Sequence, residues 1–162
     1  MSMSGLRVQR DAPGQAHLYL REEQIRLTYE AMLLAWRELS AICDPFQRDQ
    51  QLGSAHHRVM FLVSTHQGLT MSALLRRLNI TKQSLNRVLQ DLMARGLLEQ
   101  RPDERDKRLK HLHLTPQGVA IEEEIFGALR DRMTMAYRAA GGQAVEGFRR
   151  VLATLQGEGE TP

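Results

Sequence analysis

The chain has 162 residues and a mass of 18.5 kDa, the size of one domain that buries its own core. Its formal charge of +3 and pI of about 9.4 are too mild a basic bias to select a partner by themselves. A single cysteine excludes an internal disulfide, no apolar run reaches the roughly 18 residues of a membrane span, and the first twenty residues lack the apolar centre of a signal peptide. A soluble cytoplasmic protein with no membrane partner is expected.

The distribution of charge says more than its sum. Between Arg76 and Lys110 ten cations face five acids, so the rest of the chain is slightly acidic. A basic middle and a non-basic remainder point to a localised polyanion-binding surface.

Residues 1–16 are polar and carry Gly5, Pro13 and Gly14, and are expected to form a flexible arm. From about His17 a long helix is expected. Ile25, Tyr29, Met32, Trp36, Leu39 and Cys43 form one apolar stripe at alternating spacings of four and three, and Leu20, Leu27 and Leu34 form a second. A helix apolar on two faces needs more than one partner. It is expected to end before Asp44-Pro45, because a residue preceding proline is pushed out of the helical region.

A polar link through Gly53 leads to a helix from Ser54, its expected cap, to His66, with Val59, Met60, Leu62 and Val63 inward. The segment "HQGLT" breaks the chain at Gly68. Thr70 then caps a short helix, Met71 to Leu78, and Asn79-Ile80 turns into another, capped by Thr81 and running to Arg95. Two helices joined so tightly are a helix-turn-helix candidate. Leu85, Val88, Leu89, Leu92 and Met93 form the inner face of the second helix, while Gln83, Arg87 and Gln90 lie opposite, flanked by Ser84 and Asn86.

Gly96 stops that helix, and residues 97–101 and 109–115 read as two strands with Leu112 and Leu114 inward and His111 and His113 outward. Pro116 starts a helix to about Ala139, and Gly141-Gly142 separates it from a last helix. The sequence therefore predicts a mainly α fold with a small β-hairpin wing: a dimerisation helix and link over 17–53, a winged helix-turn-helix over 54–115, dimerisation helices over 116–156 and a disordered tail over 157–162.

The exposed face of helix 81–95 carries Lys82, Gln83, Ser84, Asn86 and Arg87, with no acid before Asp91. Gln and Asn suit adenine, Arg suits guanine, and Lys and a capping Thr suit phosphates. An ordinary solvated helix face interleaves Glu with Lys instead. The loop "RPDERDKRLK" places eight ionic side chains between two strands, and Arg101, Arg105, Lys107 and Arg108 can each meet a phosphate. Asp106 is expected to hold the Arg108 guanidinium. Double-stranded DNA is the expected partner.

Over "LGSAHHRVMFLVSTHQGLTMSALLRRLNITKQSLNRVLQDLMARGLLEQRPDERDKRLKHLHLTPQG" the chain resembles the MarR family of winged-helix transcriptional regulators, whose wing pattern appears as Asp106-Lys107-Arg108, Leu112, Leu114-Thr115 and Gly118. The resemblance implies a homodimer whose first and last helices interlock, and DNA recognition through Thr81, Lys82, Gln83, Ser84, Asn86 and Arg87 with a wing-tip arginine at Arg108. The two apolar stripes of the first helix support the dimer independently. A twofold dimer implies a pseudo-palindromic site with half-sites about 10 base pairs apart. The resemblance also implies repression, relieved by a small aromatic or acidic effector where the dimer helices meet the winged helix. Tyr29, Met32, Trp36, Met60 and Phe61 are the candidates for such a pocket, although residues of this kind are more often ordinary core.

Other chemistries have less support. Cys43 sits beside Asp44, which disfavours a reactive thiolate. His56 and His57 are adjacent and diverge on a helix, and no cysteine or carboxylate cluster completes a metal set around His111 and His113. No glycine-rich phosphate loop or nucleophile elbow is present, and Glu122, Glu123 and Glu124 are expected to face solvent, so neither catalysis nor a cofactor is expected. Two other functions fit the same residues: a winged helix that docks another protein, and an effector-independent architectural DNA binder.

Overall fold

A computed structural model describes residues 18–157; the expected arm, and the expected tail beyond Gly157, lie outside them. The elements in chain order are a short 3-10 turn (Leu18–Leu20), α1 (Glu22–Asp49), α2 (Ser54–Thr65), β1 (Leu69–Thr70), α3 (Met71–Leu78), α4 (Lys82–Ala94), β2 (Leu98–Pro102), β3 (Lys110–Leu114), α5 (Pro116–Ala140) and α6 (Gly142–Leu155). The chain forms two compact units, divided after Ser40.

The first unit is the 3-10 turn and most of α1. The predicted stripes do lie on a helix, but Ile25, Leu27, Tyr29 and Trp36 are all more than half exposed, so nothing within this unit covers them.

The second unit holds the core. Val59, Met60, Leu74, Leu85, Leu89, Leu92, Leu112 and Ile125 are almost wholly buried, joining α2, α3, α4, β3 and α5 around one apolar centre. α1 corrects the sequence reading: it continues through Pro45 to Asp49. An interior proline removes a hydrogen bond and crowds the preceding turn at about 3 kcal/mol. Burial beyond the proline outweighs this. Cys43 and Gln47 are buried, Phe46 packs on the core, and the Leu52 N–H donates to the Gln47 carbonyl at 2.7 Å. Gly53, not Ser54, precedes the first turn of α2, and its N–H donates to His56 Nδ1 at 3.1 Å.

The helix-turn-helix forms as expected. Thr70 Oγ1 accepts from the Ala73 N–H, Asn79 turns the chain through a left-handed conformation at φ 49°, and Thr81 Oγ1 accepts from the Ser84 N–H at 3.1 Å. One strand was not foreseen: β1, only two residues long, pairs with β3, giving an antiparallel sheet of order β1-β3-β2. At two residues it is too short for any alternating pattern to show.

The junction of wing and α5 explains the Leu-Thr-x-x-Gly pattern. Thr115 caps α5 by accepting from the Gly118 N–H and donates to the Gly96 carbonyl at 2.6 Å, while the Thr115 N–H donates to the Leu97 carbonyl. A Cβ at Gly118 would stand 2.0 Å from that same Leu97 oxygen. Only glycine lets α5 begin so close to the strand.

A candidate nucleic-acid interface

The outer face of α4 is a shallow polar concavity lined by Lys82, Gln83, Asn86, Arg87 and Gln90. All five are exposed, while Leu85, Val88, Leu89 and Leu92 hold the opposite face in the core. Projection of the sequence onto a helix had brought these residues together, and the structure does so. Thr81 and Ser84 stand at the helix start, where the Thr81 hydroxyl donates to Ser84 Oγ at 2.8 Å; their oxygens chiefly shape the N-terminus. His56 and Arg95 converge on Asp91, at 3.0 and 2.9 Å, and Arg95 also reaches the Gln50 carbonyl. The first acid of α4 is thereby occupied at the end remote from Lys82.

The wing tip is built by two aspartates. Asp103 Oδ1 accepts from the backbone N–H groups of Arg105 and Asp106, at 2.8 and 2.9 Å, and Asp106 Oδ1 accepts from the Arg108 N–H at 3.0 Å. The expected bond from Asp106 to the Arg108 guanidinium is therefore replaced by one to the Arg108 backbone. A carboxylate two residues before an amide closes a local turn more readily than it reaches the end of a long side chain. Arg105, Lys107 and Arg108 remain exposed, and among the described residues none of them is in an ion pair. Arg101 stands apart from the tip, in β2, held by Glu99 with its Nε at 2.8 Å from the carboxylate.

The sequence reading missed Asp103 and misplaced His111. His111 is not a solvated outward histidine: its Nδ1 lies 2.7 Å from the Gly68 carbonyl and its Nε2 2.9 Å from Asp103 Oδ2. Both neighbours can only accept, so the ring fits best with a proton on each nitrogen. Its pKa is raised, first by the bond to Asp103 and then by that to Gly68. Backbone donation from Asp106, then the bond to His111 and backbone donation from Arg105, lower Asp103 to about 2. This pair ties the break before α3 to the base of the wing. The signal available in the sequence was Pro102-Asp103, a turn opener with an amide-capping side chain.

A model of the MarR family matches residues 50–109, the helix-turn-helix and most of the wing. The HTH-type transcriptional regulator PetP of Rhodobacter capsulatus is 47% identical over 88% of this chain and 86% of its own. The chain belongs to the MarR family. It is thus a DNA-binding transcriptional regulator of the winged-helix class. Solved structures share the MarR fold: a MarR-family regulator from Silicibacter pomeroyi has a TM-score of 0.69 at 18% identity, covering 94% of this chain and 99% of that one. NadR in complex with 4-hydroxyphenylacetate has a TM-score of 0.68 at 22% identity, over 77% and 89% of the two chains. Staphylococcus aureus MarR in complex with salicylate and kanamycin has a TM-score of 0.67 at 18% identity, over 86% and 97%.

The candidate effector residues fare unevenly. Met60 is completely enclosed in the core, and Phe61 stacks on Phe126 with ring centroids 5.4 Å apart. Tyr29, Met32 and Trp36 are exposed on α1. Cys43 is not at a helix end but buried inside α1, and burial followed by the charge of Asp44 raises its pKa. No helix among the described residues is long and apolar enough to cross a membrane.

Proposed function

We propose that this MarR-family chain acts in the cytoplasm as a homodimeric repressor of a promoter carrying a pseudo-palindromic site. Gln83, Asn86 and Arg87 read base edges in the major groove, Lys82 and the capped start of α4 seat a phosphate, and Arg105, Lys107 and Arg108 grip the flanking backbone. The observation that carries this reading is the acid-free outer face of α4 beside three wing cations outside any described ion pair. Arg101, engaged by Glu99, is left out of the DNA contacts.

Dimerisation is supported in each unit by apolar side chains without cover: Ile25, Tyr29 and Trp36 on α1, and Phe148, Val151 and Leu155 on α6. Apolar surface of this extent marks an association surface. We assign Tyr29, Met32 and Trp36 to it, and Met60 to the core. Release by a small effector is supported by the ligand-bound NadR and Staphylococcus aureus MarR structures of the same fold.

The test is selection from a random DNA pool with the purified protein, followed by affinities for the winner and for scrambled DNA at physiological salt. A palindromic winner preferred by about 1000-fold or more is expected. Absence of enrichment overturns the reading: if scrambled DNA is still bound the chain is an architectural binder, and if no DNA is bound it is a protein-docking winged helix.

A further inference from the structure

Glu122 departs from the solvent-facing position expected of it. It is only 6% exposed, and its Oε1 is buried without a hydrogen-bond partner. A buried carboxyl oxygen left unsatisfied is costly and calls for a partner. Glu122 lies in the wall of a cavity of about 400 Å³ formed by the end of α2, the outer face of β2 and β3, and the first turns of α5. Ser64, Gln67, Arg101, His113 and Glu123 also face it, with Val63, Leu114 and Val119 as apolar wall.

The charge of the lining indicates what it would take. Arg101 is already neutralised by Glu99, whereas among the described residues neither Glu122 nor Glu123 is in an ion pair. The uncompensated groups are therefore two carboxylates. Ser64 hydrogen-bonds the Glu122 carboxyl, but Oε1 remains without a partner. We propose that this cavity binds a small organic cation, an ammonium or amidinium on a compact apolar body, whose N–H groups satisfy Glu122. The volume suits a ligand of one or two rings.

This places the effector of the regulator reading, on which the proposal rests for its consequence, within the winged-helix unit itself. It also selects against the acidic members of the aromatic or acidic effectors that the family resemblance implies. Burial, the largest influence, holds the Glu122 carboxyl above its ordinary range, and a cation seated beside it acts in the opposite sense by favouring the ionised form. Because the walls belong to both wing strands and α5, an occupant braces Arg101 and His113 against the start of α5 and alters where the wing stands.

Three probes sharing one ring separate the possibilities: benzylammonium, benzyl alcohol and benzoate, titrated calorimetrically into the full chain. Benzylammonium is expected to bind once per chain and about tenfold or more tighter than either of the others, and Glu122→Gln, which keeps the shape, to remove that advantage. Glu123→Gln, at an exposed site, is expected to weaken it less. No binding of benzylammonium, preference for benzoate, or unchanged affinity in a folded Glu122→Gln protein would each overturn the proposal. Affinity for the selected DNA is measured separately on the same protein. A chain that binds that DNA but no cation loses only this proposal, and one that binds the cation but no DNA loses the regulator reading.

Discussion

Replacing Gly118 with alanine tests the junction that sets the wing against α5. The new Cβ would lie 2.0 Å from the Leu97 oxygen and 3.0 Å from its carbonyl carbon, backbone atoms that cannot swing aside as a side chain can. Ordinary contact needs about 3.4 Å or more, so α5 and the Leu97 peptide must part by more than an ångström. Overpacking of this kind costs about 1–3 kcal/mol, and straining the Thr115 N–H bond to Leu97 adds about 1 kcal/mol. Alanine's better helix propensity returns about 1 kcal/mol. The net loss is about 1–3 kcal/mol, which for a chain of this size lowers Tm by about 2–12 °C. Thermal unfolding followed by circular dichroism, at one fixed protein concentration, measures it. An unchanged or higher Tm would show that the contact yields freely and that the close approach does not constrain the fold.

Other expectations follow from the same geometry. Arg108→Ala should weaken binding to all sequences and reduce the salt slope by about one, whereas Gln83→Ala and Arg87→Ala should relax preference at particular base pairs; indistinguishable effects in a binding-site selection would refute that division. The His111 imidazolium bonds hold the wing most firmly below pH 6.5 and are lost as pH rises through the raised pKa of His111, while those of Asp103 persist until pH falls from 3.8 towards 2. DNA affinity should therefore decline from pH 6 to alkaline pH in the native protein and less steeply in His111→Gln; parallel profiles would remove His111 from the account. Cys43, buried and with its thiol pKa raised, should react with iodoacetamide far more slowly in the folded protein than in denaturant, and equal rates by mass spectrometry would contradict its burial.

Much of this architecture could be read residue by residue. The caps at Thr70 and Thr81, the stop at Gly96 and the inward leucines of α4 rest on local chemistry, and each stands where the sequence placed it. What the sequence did not show depended on distant partners. Pro45 stays helical because Phe46 and Gln47 are anchored by the core, β1 exists only because β3 lies beside it, and His111 turns to Gly68, 43 positions away. Glu122 is the sharpest case. Three consecutive glutamates look alike in the sequence, and only the packing of α5 against α2 and the sheet buries the first of them.

The order β1-β3-β2 also governs how this chain can meet others. β3 is paired on both sides, β1 offers an edge of two residues, and β2 offers one that carries Glu99 and Arg101 and ends at Pro102, which has no N–H to give. Both rims of the sheet are blunted, so strand addition from another copy finds no template there. Apolar helix surface can then remain uncovered during synthesis without seeding β-aggregation through the wing. Association with another chain would then fall to side-chain packing between helices, a contact that discriminates among partners by shape.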